Sequence, residues 1–193
     1  MRKKEGNKEQ DILDASVRVF SGVGYSNAKL HMIADEAGIA SGTIYLYFKN
    51  KEDILLKIFE SVWEKMFLTI EKIDTEEKDV VRKFHQMIDN VFELFNSDPS
   101  LAIVFVNEQY HIMKRTNKLL MNNYSKTLRI CEKVLNEGIS SGVFKKETDS
   151  LIFSNFFFGG IRYTLQQWAQ DQKKFNLPKI RETIKKLVLF GIV

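Results

Sequence analysis

Residues 30–53 read LHMIADEAGIASGTIYLYFKNKED, and the spacing of this stretch predicts a helix-turn-helix. Such a unit needs a small residue where its two helices cross, a glycine that accepts a positive φ in the turn, and apolar residues that hold down the second helix. Ala34 and Gly38 meet the first two demands. Ile44 and Phe48 share one face of the second helix, since successive helical residues turn by about 100°.

The opposite face of that second helix carries Gly42, Thr43 and Leu46 and is free to enter a groove. Tyr45 and Tyr47 flank this face, where a phenol hydroxyl reaches phosphate oxygens on either wall of a major groove. The arrangement predicts a DNA-binding surface. The alternative is that the aromatic residues are only the core of a helical hairpin.

A further helix is predicted to start directly after this unit. Asn50 has the side chain of an N-cap, Lys51 is the first helical residue, and Glu52 and Asp53 in the first turn compensate the helix dipole. A helix N-terminus beside a lysine favours an anion. We therefore expect a phosphate contact at Lys51.

Residues 8–53 resemble the N-terminal domain of TetR-family transcriptional regulators, and the segment AGIASGTIYLYFKNKE at 37–52 carries the resemblance. The resemblance implies an all-helical chain with a three-helix DNA-binding domain, followed by a larger domain that dimerises and binds an effector. A position that is often His in the family is Tyr47 here, which keeps a phosphate donor. The DNA contacts that the resemblance implies are Lys29, Ser41, Gly42, Thr43, Tyr45, Leu46, Tyr47 and Lys51.

The composition agrees with this class of protein. The 193 residues, 44% of them hydrophobic and 28% charged, suffice for real cores, and the net charge of +4 permits nucleic-acid binding. A single cysteine, Cys131, rules out an intramolecular disulfide and suits a reducing compartment. Because no apolar run approaches the ~18 residues of a membrane span and the N-terminus has no signal-like segment, we expect a cytoplasmic protein.

The whole chain has helical periodicity, with only two prolines and no convincing alternation of period two. We predict an all-α fold of about nine helices. Residues 1–50 would form the helix-turn-helix domain and residues 51–193 the effector-binding and dimerisation domain. A fourth helix, from Lys51 to about Ile73, would join the two without a flexible linker.

The central helices are rich in phenylalanine and methionine. Such residues fill a core, or they line an adaptable apolar pocket, and the sequence leaves both possibilities open. The candidate pocket residues are Phe84, Ile88, Val91, Phe92, Phe95, Ile103, Val106, Tyr110, Met113 and Phe156.

Two final helices, predicted at about 147–172 and 178–190, are apolar on more than one face, so one bundle cannot bury them completely. A symmetric homodimer would cover the surplus face, and adjacent glycines would allow close approach of a second helix. The candidate interface residues are Phe153, Phe157, Gly159, Gly160, Ile161 and Leu187.

Within the family, the segments SLAIV (100–104), NEGISSGVFKKETD (136–149) and FGGIRYTLQQWAQDQKKFNL (158–177) are similar to acyl-CoA-responsive regulators of fatty-acid degradation. This similarity implies a homodimeric repressor that a long-chain acyl-CoA releases from a palindromic operator. Candidate partners of the CoA phosphates, if they are not ordinary surface charges, are Lys114, Arg115, Lys118, Arg129 and Arg162.

Two other kinds of regulator remain open, one of multidrug efflux that answers to hydrophobic drugs and one that a protein partner controls without a ligand. An enzyme is not expected. The sequence has no paired carboxylates in an apolar context, no glycine-rich phosphate loop and no metal-ligand spacing, so no cofactor or metal is predicted.

Overall fold

The computed structural model describes residues 7–113 and 118–192, and within them the chain forms nine α-helices and no strand. This confirms the predicted all-α fold. In chain order the helices are α1 (Lys8–Val23), α2 (Leu30–Ala37), α3 (Ser41–Ile44), α4 (Lys51–Glu76), α5 (Val80–Ser97), α6 (Pro99–Met113), α7 (Lys118–Ser140), α8 (Ser150–Gln170) and α9 (Leu177–Ile192).

α1 is the base on which the helix-turn-helix rests. Its apolar residues recur at helical spacing, and Ile12, Leu13, Val17 and Phe20 are all buried. They form one cluster with Ile33 of α2, Ile44 of α3 and Phe48, which follows α3. The N-terminal three helices therefore pack around a common core.

α4 runs from this core into the C-terminal bundle as one helix of 26 residues. Its buried stripe begins at Ile54 and Leu55, continues through Phe59 and Trp63, and reaches Ile70. α4 packs against α1, α5 and α7. One apolar core extends without a break from α1 to α9, so the division at residues 50 and 51 stays a prediction.

The far end of α4 is held by charged side chains from three helices. Asp74 on α4 accepts from Lys83 of α5 at 2.9 Å and from Lys133 of α7 at 2.7 Å, and Lys83 also donates to Glu137 at 3.0 Å. Burial alone would raise the pKa of Asp74 and lower that of Lys83. Hydrogen bonds within the cluster outweigh it, so the pKa of Asp74 lies below and that of Lys83 above its usual value.

α8 and α9 form the last layer and cover the bundle only in part. α8 begins at Ser150 rather than near 147, because the Asp149 side chain caps it by accepting from the Ile152 amide at 2.9 Å. Of its 21 residues only Ile161, Leu165 and Trp168 are buried. Among the described residues, no helix combines the length and apolar character that a membrane span requires.

Candidate nucleic-acid interface and adjoining cavity

The turn between α2 and α3 depends on Gly38. Its φ of 66° is in the left-handed region, where a side chain would be strained. The Ile39 amide donates to the Ala34 carbonyl at 3.0 Å and the Gly38 amide to the Asp35 carbonyl at 3.2 Å, which is the hydrogen-bond pattern of a Schellman motif. Ala34 is fully buried at the crossing of the helices. The glycine and the small residue thus have the places that the spacing predicts.

α3 ends at Ile44, before the predicted second helix would reach Phe48, and residues 45–47 continue it as a turn. α3 and the segment 45–48 that follows it together present one side to the core and the other to solvent. Ile44 and Phe48 are buried, whereas Tyr45, Leu46 and Tyr47 are 62%, 80% and 43% exposed. Because both tyrosines are exposed, the alternative of an aromatic core cluster is wrong for them. A soluble protein gains nothing in stability from an exposed Leu between two exposed Tyr, so this surface has the character of a binding face.

The remaining predicted DNA contacts surround this face. Ser41 and Gly42 are exposed at the start of α3, and Thr43 is half-buried behind them. Lys29 is exposed at the N-cap position of α2. With Tyr45, Leu46 and Tyr47 these residues make up the α3 surface, and their DNA contacts stay predictions.

Asn50 is the N-cap of α4, as its position predicts. Its Oδ1 accepts from the amides of Glu52 and Asp53, each at 2.9 Å. These bonds occupy two of the first amides of the helix, which would otherwise be free to bind an anion.

Lys51 lies differently from what the phosphate hypothesis expects. Its Nζ donates to the carbonyl oxygens of Tyr25 at 2.7 Å, Ser26 at 3.0 Å and Ala28 at 3.1 Å. The same ammonium is 4.6 Å from the centre of the Tyr25 ring. An ammonium has three donors, and all three are used inside the protein. The sequence gives no local signal for this, because the partners precede Lys51 by 23 to 26 residues.

A cavity of about 380 Å³, partly open to solvent, lies among α4, α5, α6, α7 and α8 of the C-terminal bundle. This volume is within the range of about 300–1,000 Å³ that small-molecule sites occupy. Of the predicted pocket residues, the cavity wall contains Val91, Phe95 and Val106. The predicted interface residues Gly159 and Ile161 also line it.

Other predicted pocket residues lie elsewhere. Ile88 and Phe92 are buried in the core away from the cavity wall, and Phe84 packs on the rings of Phe144 and Phe157. These residues lie elsewhere because the apolar face of α5 is wide. One part of that face lines the cavity, and the other part packs against neighbouring helices. The structure also leaves Ile103 half-buried outside the wall and Phe156 79% exposed; the side chains of Tyr110 and Met113 lie outside the described residues.

α4 supplies wall residues that the sequence analysis did not single out, namely Trp63 and Met66. Their spacing of three on the buried stripe of α4 was the available signal. The wall also carries polar groups. In the described part of the chain, the Trp63 Nε1 and Gln109 Oε1 atoms are buried and have no hydrogen-bond partner, and buried polar groups are normally paired. A ligand in the cavity could satisfy both.

Arg162 of α8 and Glu132 of α7 bring charge to the same wall. Arg162 is thus the predicted CoA-phosphate candidate that the structure brings to the cavity, while Arg129 is exposed on α7 and borders a separate surface groove. Lys114, Arg115 and the Lys118 side chain lie outside the described residues.

The outer faces of α8 and α9 carry large apolar side chains in solvent. Apart from Leu151, which borders the cavity, they are Ile152, Phe156 and Tyr163 on α8 and Leu187 and Phe190 on α9. We call these five residues the α8–α9 apolar surface. Such a concentration of exposed apolar groups indicates a contact with another molecule.

The predicted interface residues divide between this surface and the interior. Leu187 belongs to the surface, and Gly160 is exposed with open space around a Cβ placed there. Phe153 and Phe157 are half-buried and stacked on one another with ring centres 5.9 Å apart. No group of His, Cys, Asp or Glu residues suited to a metal ion occurs among the described residues.

Comparison with known proteins covers nearly the whole chain. The family described as "Bacterial regulatory proteins, tetR family" matches residues 12–58, and "YsiA-like protein, C-terminal region" matches residues 59–191. The fatty acid metabolism regulator protein of Bacillus subtilis (strain 168) is 35% identical, over 98% of each chain.

Among the solved structures similar to this one are two fatty acid degradation regulators. The fatty acid degradation regulator FadR from Bacillus halodurans is 30% identical with a TM-score of 0.83, and 97% of each chain is covered. FadR from Bacillus subtilis in complex with stearoyl-CoA is 32% identical with a TM-score of 0.80, covering 95% of this chain and 99% of that one.

Proposed function

Because the chain belongs to the tetR family of bacterial regulatory proteins, we propose that it is a homodimeric repressor that binds operator DNA and leaves it when a long-chain acyl-CoA binds. As a transcriptional regulator it acts on DNA through α3. The role is cytoplasmic, where operator DNA is found, and it is not catalytic.

The observation that carries the proposal is the two-sided character of α3. Burial of Ile44 and Phe48 fixes the helix on the core, while Tyr45, Leu46 and Tyr47 remain exposed. The phenol hydroxyls are placed to bind backbone phosphates, and Leu46 offers an apolar contact for a thymine methyl group. Specificity would then rest on methyl contacts and DNA shape more than on hydrogen bonds to bases.

Dimerisation follows from the α8–α9 apolar surface. A two-fold axis through it places the same residues of both copies against each other. The two α3 surfaces would then meet half-sites of a palindromic operator about one helical turn apart.

The effector assignment rests on the cavity and on the relatives. The Bacillus subtilis FadR structure contains stearoyl-CoA, and the C-terminal bundle of this chain has a largely apolar cavity with Arg162 in its wall. An acyl chain needs apolar surroundings, and a guanidinium suits the phosphates of CoA. The unpaired Trp63 Nε1 donor and Gln109 Oε1 acceptor would bind polar atoms of the ligand other than the phosphates.

α4 provides the physical link between the effector and DNA. It contributes Trp63 and Met66 to the cavity wall and begins at Lys51, directly after the α3 surface. A ligand that shifts the middle of α4 therefore shifts the base of α3. A tenfold loss of operator affinity needs only about 1.4 kcal/mol of coupling.

The test is fluorescence anisotropy of labelled promoter DNA at fixed salt, with and without stearoyl-CoA. We expect tight binding that stearoyl-CoA reverses, and loss of binding in Tyr45→Ala. The matched control is Leu68→Ser, an exposed apolar residue on α4, which should bind as the unaltered protein does. Binding that acyl-CoA does not change but a hydrophobic drug reverses would overturn the effector assignment, and failure to bind promoter DNA would overturn the whole proposal.

A further inference from the structure

The ammonium of Lys51 is enclosed by backbone carbonyls. The oxygens of Tyr25, Ser26 and Ala28 converge on Nζ at 2.7 to 3.1 Å. Three carbonyl dipoles that point at one place repel each other unless a cation lies between them. The ammonium therefore stabilises the present shape of the turn at residues 24–29.

The surroundings of Lys51 are also unsuited to a phosphate. Asn50 occupies the amides of Glu52 and Asp53, and the Asp53 carboxylate accepts from the Lys49 amide at 3.1 Å. The start of α4 thus presents two carboxylates and few free donors. A phosphate there would have to displace three hydrogen bonds and approach negative charge.

The turn that Lys51 holds leads directly into α2. The Ala28 amide donates to the Gly24 carbonyl at 3.1 Å, and the Ala28 side chain is buried. Lys29 follows as the N-cap position of α2. Fixing residues 25–28 on the first residue of α4 therefore fixes where α2 starts, and α2 carries the turn that orients α3.

We propose that Lys51 is a positioning residue. It ties the turn between α1 and α2 to the N-terminus of α4, and so sets the orientation of the α3 surface, instead of binding a DNA phosphate. This inference rests on the proposed DNA-binding function.

The experiment compares Lys51→Met, Lys51→Arg and the control Lys49→Met. Methionine keeps the apolar stem of Lys51 and removes its donors. Arginine keeps the charge, but its planar fork cannot replace one nitrogen at the meeting point of three carbonyls. Lys49 is exposed, and its ammonium has no hydrogen bond or ion pair among the described residues. The measurements are operator affinity over a salt series, the thermal midpoint, and amide hydrogen exchange in residues 24–29.

For a positioning role we expect both Lys51 variants to lose at least about tenfold in operator affinity at every salt concentration, with an unchanged slope of log affinity against log salt. Hydrogen exchange at residues 24–29 should accelerate about tenfold or more, and the thermal midpoint should fall by about 2–4 °C. Lys49→Met should change neither the midpoint nor the exchange.

A second control separates positioning from general loss of stability. Ile70→Val removes a methyl group from a buried residue at the far end of α4, and it should lower the midpoint while keeping operator affinity. An equal affinity loss in Ile70→Val would show that Lys51 acts only through global stability, and would overturn the inference.

The phosphate role makes the opposite set of predictions. If Lys51→Arg binds like the unaltered protein, while Lys51→Met lowers the salt slope by about 1.8, which is about 0.9 for each protomer of the dimer, with unchanged midpoint and exchange, Lys51 is a phosphate contact and the inference is wrong. If the unaltered protein does not bind operator, the proposed function fails. Faster exchange at residues 24–29 in Lys51→Met would even then establish the tie between the turn and α4.

Discussion

Replacing Phe156 by serine should dissociate the homodimer. Phe156 is a member of the α8–α9 apolar surface and is 79% exposed in the single chain. No buried contact within the chain is lost with its ring, so the folded protomer should keep its stability. The substitution should therefore change the free energy of dimerisation and leave the free energy of unfolding of the protomer unchanged.

The size of the effect follows from the exposed area. A phenylalanine side chain offers about 200 Å², so at 79% exposure Phe156 presents about 160 Å². At about 25 cal/mol per Å², full coverage contributes about 4 kcal/mol. A symmetric dimer contains two Phe156 rings. If the interface buries only half of the exposed area of each ring, the total contribution is still about 4 kcal/mol. A loss of about 4 kcal/mol weakens dimerisation about a thousandfold.

Sedimentation velocity over a nanomolar to micromolar range measures this directly. Leu46→Ser is the matched control, since Leu46 is equally exposed, at 80%, but belongs to the α3 surface. It should lower operator affinity and leave the dimer intact. The reasoning is refuted if Phe156→Ser dissociates at the same concentration as the unaltered protein, or if the unaltered protein is monomeric throughout.

Three further outcomes are expected from the interior of the molecule. Gly138→Ala should destabilise the fold by about 1–3 kcal/mol in urea unfolding, because its Cβ would lie 2.1 Å from the buried Phe144 ring, whereas Gly22→Ala, with open space around it, should not. Burial raises the pKa of the Cys131 thiol to about 12, so a thiol reagent at neutral pH should label this half-buried residue much more slowly in the folded protein than in denaturant. Gln109→Leu removes an unpaired buried oxygen; titration calorimetry should show stearoyl-CoA binding weakened about fivefold to tenfold, with no loss of thermal stability.

The helix-turn-helix could be predicted from the sequence because its constraints are local. Gly38, Ile44 and Phe48 lie within eleven consecutive residues, and each answers to a requirement of the backbone or of a single helical face. The cap at Asn50 is equally local, since its oxygen serves amides two and three residues away. Local geometry allows so few backbone conformations at these positions that residue type and spacing are enough to predict the turn and the cap.

The cavity and the surroundings of Lys51 could not be predicted in the same way. Periodicity identifies the inward face of α5, but it does not distinguish Phe84, which packs on other rings, from Phe95, which lines the cavity. That distinction depends on the placement of α4 and α8 around α5. Lys51 presents the same difficulty, because its charge indicates a partner for anions, whereas tertiary structure places carbonyls around it.

The two ends of α4 are tied with different strength, and this bears on how an effector signal travels. At its far end Asp74 is paired with the buried Lys83, and separating such a pair costs about 3–5 kcal/mol. At its near end Lys51 is held by three carbonyls, and its bond to the exposed Ser26 is one that water can replace at lower cost. A ligand that pressed on Trp63 in the middle would therefore meet a weaker polar tie at the near end of α4 than at the far end. Because the near end adjoins the α3 surface, this difference in the polar ties would favour a displacement on the side proposed to bind DNA.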